Sequence, residues 1–303
     1  MTAVTSWPGA ELDQLLAGAQ LPALPQSAIR LLELSKDPDN GPAEFAAPIE
    51  ADPGLTSQVL RFVNSSYFGF SREISSVKLA ITLVGVRTVK NFALWSAVFS
   101  LMPNPKCGPF DLKNLWRDSL RRALFARAMG KALGMNDAEG PFAAALLQDL
   151  AVPLLSKELA NDYAQLIVDR EDGALRLSDL EQARYGWTHA QAGGVIARKW
   201  NLPEEFASLI ERHADLQSLL DDPAADPAAL AVALSALLPA SCDQHWHERD
   251  AFGTAYDQLT QGRGTSIRQM LAQVDEQFTE LAPVLHLTAP SQTLVDHFDR
   301  AGS

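Results

Sequence analysis

Helical periodicity constrains this chain more than any other feature of its sequence. Apolar residues recur at intervals of three and four positions through nearly all of the 303 residues. Dipeptides typical of tight hairpins are rare, and the Asn-Gly pair at 40–41 stands directly before a proline. A chain with this pattern buries one face of each helix against another helix. The sequence therefore predicts an all-α fold.

Capping signals and breaks divide the chain into helices. Asp52 stands before a proline, as at many helix starts, and capping-box spacings occur at Ser178 with Glu181 and at Thr188 with Gln191. The predicted helices cover residues 26–36, 43–50, 53–65, 76–83, 86–102, 111–134, 141–156, 160–172, 178–185, 189–200 and 204–213, followed by 228–238, 247–260, 266–280 and 291–300.

Two proline-containing segments interrupt the helical pattern. The segment 103–109 has three prolines, which lack an amide donor and clash with a preceding helical turn, so it predicts a boundary between two subdomains. The segment 221–227 precedes a region whose helices are less strongly specified. We find no repeat of fixed period.

Charge and cysteine content exclude several functional classes. The chain carries 25 Lys and Arg against 37 Asp and Glu, for a net charge of −12, and residues 216–303 alone have 4 basic and 12 acidic side chains. Such a surface repels nucleic acid and anionic lipid, so neither is an expected partner. Two cysteines, a start without a signal sequence and apolar runs too short to span a bilayer predict a cytoplasmic protein without disulfides.

Four sequence blocks in the first third carry a family resemblance. They are a Leu-Pro-Ala-Leu-Pro run, an Asp-Pro-Gly helix start, an Asn-Ser-Ser-Tyr-Phe-Gly segment and a Leu-Val-Gly ending. In this order and spacing they resemble the HDOD domain, an all-helical output module of bacterial signalling proteins that is related to HD-type phosphohydrolases. The positions that match are Leu21, Pro22, Pro25, Asp52, Pro53, Asn64, Tyr67, Phe68, Gly69 and Gly85.

The resemblance implies a domain organisation. It covers about residues 18–215, with an N-terminal helical subdomain at 18–102 and a degenerate HD-like subdomain at 111–215. A short segment, 1–17, precedes it, and an acidic helical extension, 216–303, follows it. We expect the extension either to pack as helices on the HD-like half or to serve as a partner-specific element. Its deletion is expected to spare the fold of residues 18–215.

The resemblance also locates the metal ligands that an HD hydrolase would need, and here the chain departs from the pattern. Asp118 stands where the first ligand helix has His, and Gln148 replaces the His of the His-Asp pair, leaving Asp149. An amide is a poor ligand for a catalytic transition metal. The Ala-Val-Pro run at 151–153 lacks the lysine that follows the pair in HD-GYP enzymes, and 230–238 has no carboxylate. We therefore expect no catalytic residue, no metal and no cofactor.

Later positions keep the family pattern and support the fold more than catalysis. His189 follows the Thr188 cap, where a lone histidine is more often a structural hydrogen-bonding group. An open alternative is that Asp118, Asp149, His189 and His213 converge, as in a metal-dependent phosphohydrolase acting on a nucleotide or cyclic dinucleotide. A third is a nucleotide sensor without turnover. The matching positions are Glu181, Gly186, His189, Trp200, Pro203 and His213.

Two further groups of residues are interpreted as surface features. His245 and His247 give a weak zinc-like spacing but have no cysteine pair beside them. Basic side chains recur on one face of the 111–134 helix, which favours a solvated face over a docking surface for an acidic partner. These are Arg117, Arg121, Arg122 and Arg127.

The resemblance and the lost ligands together predict a non-catalytic signalling protein that acts through protein–protein contacts. The family setting implies two-component or cyclic-di-GMP regulation, with receiver or diguanylate cyclase proteins as partners. The chain itself has no receiver, cyclase or kinase signature.

Overall fold

The computed structural model describes residues 8–19, 21–37 and 39–300, and within these ranges the chain is helical and has no strand. The predicted all-α class is confirmed, while residues 1–7 of the predicted N-terminal segment lie outside the described ranges. The helices are α1 (Pro8–Gly18), α2 (Gln26–Leu34), α3 (Pro42–Glu50), α4 (Pro53–Val63), α5 (Val77–Val84), α6 (Val86–Leu101), α7 (Leu112–Ala132), α8 (Glu139–Leu147), α9 (Ala151–Glu158), α10 (Ala160–Asp169), α11 (Leu177–Tyr185), α12 (His189–Lys199), α13 (Glu204–Arg212), α14 (Leu216–Asp221), α15 (Pro227–Ser235), α16 (Arg249–Thr260), α17 (Ile267–Leu281) and α18 (Leu294–Arg300).

Side-chain caps begin several of the helices, as at α4 and α12. The Asp52 carboxylate accepts a hydrogen bond from the Leu55 amide at 3.0 Å, and Thr188 and Gln191 form the predicted capping box. The predicted box at Ser178 and Glu181 is wrong. Helix α11 begins at Leu177, and the Glu181 side chain is fully buried and bonded elsewhere.

The motifs in the first third of the chain have structural roles. The Asn64 side chain forms two hydrogen bonds with the Ile74 backbone. Its Nδ2 donates to the carbonyl at 2.8 Å and its Oδ1 accepts from the amide at 2.7 Å, which fixes the segment after α4. Gly69 ends this turn with a φ of 63°, a conformation that favours glycine. The Trp200 indole donates to the Pro22 carbonyl at 3.0 Å. The proline-rich start of the domain is thereby tied to the end of α12.

Helix α7 is central to the packing of the helices that follow residue 111. Helices α8, α15 and α17 pack against it, and the long helix predicted at 141–156 is broken at Gln148–Leu150 into α8 and α9. The extension therefore packs on the HD-like half, one of the two roles expected from the sequence. Ala231, Val232 and Leu234 of α15 are fully buried in a core cluster that also includes residues of α2–α6 and of α7–α13.

This packing corrects the interpretation of the basic face of α7. Arg121 is 1% exposed, and Arg127 lies over the rings of Tyr67 and Phe142. Arg117 donates to the Thr288 carbonyl at 3.0 Å, and Arg122 pairs with Asp149. Arg121 and Arg127 offer neither a solvated face nor a docking surface, because they are buried, while Arg117 and Arg122 are partly buried.

No helix in the described part of the chain is both long enough and apolar enough to cross a membrane.

Candidate functional site

The predicted pocket residues line one cavity of about 170 Å³. It lies between α7, the break between α8 and α9, the first turn of α12, the end of α13 and the segment 236–248 that joins α15 to α16. The break between α8 and α9 places Gln148 and Asp149 in the wall of the cavity. The expected residues that line the cavity are Asp118, Gln148, Asp149, His189 and His213.

Three of these residues form a buried group that we call the central cluster: Asp149, His189 and His213. Asp149 Oδ1 lies 3.3 Å from His189 Nε2 and 3.5 Å from His213 Nε2, and the two Nε2 atoms are 3.1 Å apart. Helix α12 supplies one imidazole, and the residue after α13 supplies the other. All three side chains direct one polar atom at a common point.

The opposite ring nitrogens hold the imidazoles in place. His189 Nδ1 lies 2.6 Å from Glu181 Oε2, and His213 Nδ1 lies 2.6 Å from the Ile210 carbonyl. Glu181 also accepts from the His189 backbone amide at 2.7 Å and from the Tyr163 hydroxyl at 2.5 Å. Both acceptors require a hydrogen on Nδ1. In a neutral imidazole the lone pair is therefore on Nε2, the atom that faces the cavity.

Arg122 completes the charge pattern, because its guanidinium bonds Asp149 Oδ2 and both side chains are largely buried. Burial alone would raise the pKa of Asp149, but Arg122 and the two imidazoles hold it well below its usual range. Burial would lower the pKa of His189, yet Glu181 and Asp149 raise it to about 10. Burial lowers the pKa of His213. In and around the central cluster, the carboxylates of Asp149 and Glu181 thus face the imidazole of His189 and the guanidinium of Arg122.

The other two candidates do not join the cluster. The Asp118 carboxylate accepts from the Ser241 amide at 2.7 Å, and burial raises its pKa against the opposing effect of the neighbouring arginines. Gln148 is fully buried, with its Oε1 at 3.3 Å from the Ser235 hydroxyl of α15. Asp118 and Gln148 therefore join the HD-like half to the extension.

The residues of the central cluster fit a single divalent ion and not a pair of ions bridged by Asp149. Ligand atoms bound at about 2.0–2.1 Å around a tetrahedral ion lie roughly 3.3 Å apart, which matches the spacing in the central cluster. Asp149, His189 and His213 would hold such an ion, which would supply Lewis-acid activation of a bound water. A second ion lacks ligands, because Gln148 and Ser235 are neutral and Asp149 Oδ2 already binds Arg122.

Sequence reasoning missed the role of Arg122. It lies four residues after Asp118 and therefore on the same face of α7, a spacing that points it at the pocket. The fully buried Tyr163, which binds Glu181, had no signal of its own in the sequence.

Comparison with known proteins decides the family, because the HDOD domain matches residues 21–216. This chain belongs to the HDOD family. An HDOD domain protein from Geobacter sulfurreducens has a similar structure, with a TM-score of 0.71 at 21% identity, over 92% of this chain and 97% of that one. A Shewanella amazonensis SB2B protein provisionally named a phosphohydrolase has a TM-score of 0.68 at 19% identity over the same shares.

Sequence similarity to a curated protein covers only part of each chain. A Treponema pallidum protein is 23% identical over 197 residues, which is 65% of this chain. The chain spans 38% of the length of that relative. These similarities establish the HDOD fold of the chain.

Proposed function

We propose that this HDOD protein acts in bacterial signal transduction through contact with a protein partner and does not hydrolyse phosphoesters. The observation that carries the proposal is the buried pair of Arg122 with Asp149. In a two-metal hydrolase, a metal-bound water attacks phosphorus while the ions neutralise the developing charge. Here the Arg122 guanidinium binds Oδ2 of Asp149, the carboxylate that two metal ions would have to share.

The remaining wall of the cavity supports the same conclusion. Gln148 offers an amide where the HD pair has an imidazole, and the helix after it begins with Ala151, Val152 and Pro153, all buried and without charge. A phosphoryl group would find no lysine there. The charged groups of the central cluster are engaged with one another, Arg122 with Asp149 and His189 with Glu181, which suits a structural centre that holds several segments of the chain together.

The first experiment measures hydrolysis and metal content together. Bis(4-nitrophenyl) phosphate and cyclic di-GMP are incubated with the purified chain and Mn²⁺, and we expect turnover no greater than with Mn²⁺ alone. Arg122→Met should bind Mn²⁺ more tightly than the wild type, because it frees Asp149 Oδ2. Arg117→Met, on the same helix but outside the central cluster, is the matched control. Turnover by the wild type that Asp149→Ala abolishes would overturn the proposal.

A second candidate function is a sensor or hydrolase with a single metal, favoured by the spacing and the anchored Nδ1 atoms of the central cluster. A carboxylate or carbonyl on the second nitrogen is the usual arrangement for a metal-bound histidine. One tightly held ion per chain that His213→Gln removes, without any turnover, would establish the sensor. The same ion with turnover would establish the hydrolase.

Contact with a partner requires an accessible surface. Leu79 and Leu83 lie one turn apart on α5 and are 42% and 49% exposed, so together they form a small apolar patch on the surface. Following the family setting, we expect a partner that carries a receiver or diguanylate cyclase domain. The double variant Leu79→Asp, Leu83→Asp should weaken binding of such a purified domain at least about tenfold, as loss of a buried apolar anchor does. Val168→Asp, at an exposed position on α10, is the control, and equal binding by both variants would contradict the assignment.

A further inference from the structure

A second group of metal-ligating side chains lies at the opening of the cavity. Asp172, in the turn after α10, meets His245 and His247, in the segment between α15 and α16. One ligand atom from each lies within 4.8 Å of the others, and all three residues are exposed. We call them the mouth cluster, since both histidines and the neighbouring Gly173 line the cavity.

The two histidines share a direction because of the residue between them. Trp246 is buried, its indole donates to the Leu237 carbonyl at 2.8 Å, and its ring packs on Phe252. His245 and His247 flank this inward anchor and both project to solvent, with ring centroids 5.8 Å apart. Their orientation is thus set by core packing.

The aspartate is placed by a strained turn. Glu171 and Asp172 have φ values of 47° and 61°, in the left-handed region that residues other than glycine rarely adopt. Gly173 continues the turn at 87°, and a Cβ there would lie 2.7 Å from the Asp243 carboxylate. Strain of this kind persists only where the surroundings hold it, and it is concentrated at functional sites.

Hydrogen bonds join the two segments without an ion. Asp172 Oδ1 accepts from the backbone amide of Gln244 at 2.6 Å, and Oδ2 lies 2.8 Å from His245 Nδ1. Arg170 and Asp243 form a second link between the same segments, at 2.9 Å. The ligands are therefore brought together before binding, which lowers the ordering cost of holding an ion.

From these observations we propose that Asp172, His245 and His247 bind one divalent transition-metal ion, zinc by ligand type, that joins the two segments at the mouth of the cavity. Two imidazoles and one carboxylate suit zinc, and exposure leaves its remaining positions to water. The ion would take the place of the hydrogen bond between Asp172 and His245, and the ring hydrogen of His245 would then lie on the nitrogen that does not bind the metal. It would also hold Gly173 and His247 in place, so that access to the central cluster depends on zinc.

The test is a calorimetric Zn²⁺ titration of the intact chain at pH 7. The double variant His245→Ala, His247→Ala should bind one zinc fewer than the wild type, whether or not the central cluster also binds. Asp172→Asn keeps an oxygen for the Gln244 amide but loses the anionic ligand, and should weaken binding by about tenfold or more. His286→Ala, at an exposed histidine elsewhere in the extension, is the control.

Two readouts separate this site from adventitious binding. Zinc should slow hydrogen exchange at the Gln244 amide in the wild type and in His286→Ala but not in the double variant. Equal zinc stoichiometry in the wild type and the double variant would overturn the proposal. So would dimer formation on zinc addition, seen by sedimentation, because the histidines would then bridge two copies of the chain.

Discussion

Two clusters of the same composition, each with one aspartate and two histidines, occupy opposite environments in this protein. In the central cluster the side chains are buried, and Glu181 and Arg122 lie against them as fixed counter-charges. In the mouth cluster the side chains are exposed, and the aspartate is held mainly by the backbone. Buried charges need partners whether or not a ligand is bound, whereas exposed ones are solvated by water. The same residue types thus support the fold in one place and remain available in the other.

The largest expected effect comes from deleting residues 216–303. This deletion removes His245 and His247 of the mouth cluster and retains the three residues of the central cluster. The sequence suggested that residues 18–215 would keep their fold, but the packing of α15 and α17 on α7 argues for the opposite outcome. Fully buried residues such as Val232 and Leu234 would leave an apolar face uncovered. We expect the fragment to aggregate or to lose its cooperative thermal transition, measured by circular dichroism. A monomeric fragment that unfolds cooperatively would show that the clusters belong to independent units.

Glu181→Ala tests the central cluster alone. The substitution leaves a buried His189 without its main counter-charge and removes the acceptor for Tyr163, so we expect a loss of about 3–5 kcal/mol in the free energy of unfolding. Urea unfolding at pH 7 measures it. Glu204→Ala, at an exposed pair with Arg198, should leave the urea midpoint nearly unchanged. Similar midpoints for the two variants would show that the buried network is not stabilising.

The clusters also show how far the sequence alone could be interpreted. Helix positions followed from apolar spacing and from caps such as Asp52, because these are local properties. The convergence of Asp149, His189 and His213 was foreseen as an alternative through the family resemblance. The link to Asp172 was not foreseen, because it joins residues 73 positions apart through a turn whose left-handed backbone has no side-chain signal.

Burial of the basic face of α7 was missed for a related reason. A row of arginines looks the same in sequence whether water or another helix covers it. Arg121 is covered by the extension, whose place on α7 depends on tertiary packing. Local patterns predict elements, and contacts between distant elements determine which polar groups are buried.

His297 of α18 is buried, as His189 and His213 are. It helps to tell whether burial or a counter-charge determines the pKa of a buried histidine. It is 2% exposed, and neither ring nitrogen has a hydrogen-bond partner within the described residues. Burial and the nearby Arg121 lower its pKa to about 4, against an ordinary value of 6.5. Between these two values the unfolded chain binds the extra proton, so His297 costs stability as the pH falls from about 6.5 towards 4.

Replacement by glutamine should make this acid limb shallower, by up to about 1.4 kcal/mol per pH unit. The measurement is urea unfolding of the wild type and His297→Gln at intervals across the window, with His286→Gln as an exposed control. Parallel profiles for all three proteins would mean that His297 titrates normally, and that burial in this part of the molecule does not set the charge of a histidine.

The smallest expected effect is that of Asp172→Asn on the metal-free protein. The pair with His245 is exposed, and such pairs contribute under about 1 kcal/mol, while asparagine can still accept from the Gln244 amide. Urea unfolding with a chelator present should therefore barely distinguish the variant from the wild type. With excess Zn²⁺ both proteins should become more stable by ligand linkage, but a tenfold weaker site should leave the variant about 1.4 kcal/mol less stabilised than the wild type. A large loss in the chelated protein would instead place Asp172 beside Glu181 as a structural carboxylate, and the contrast between the two clusters would no longer hold.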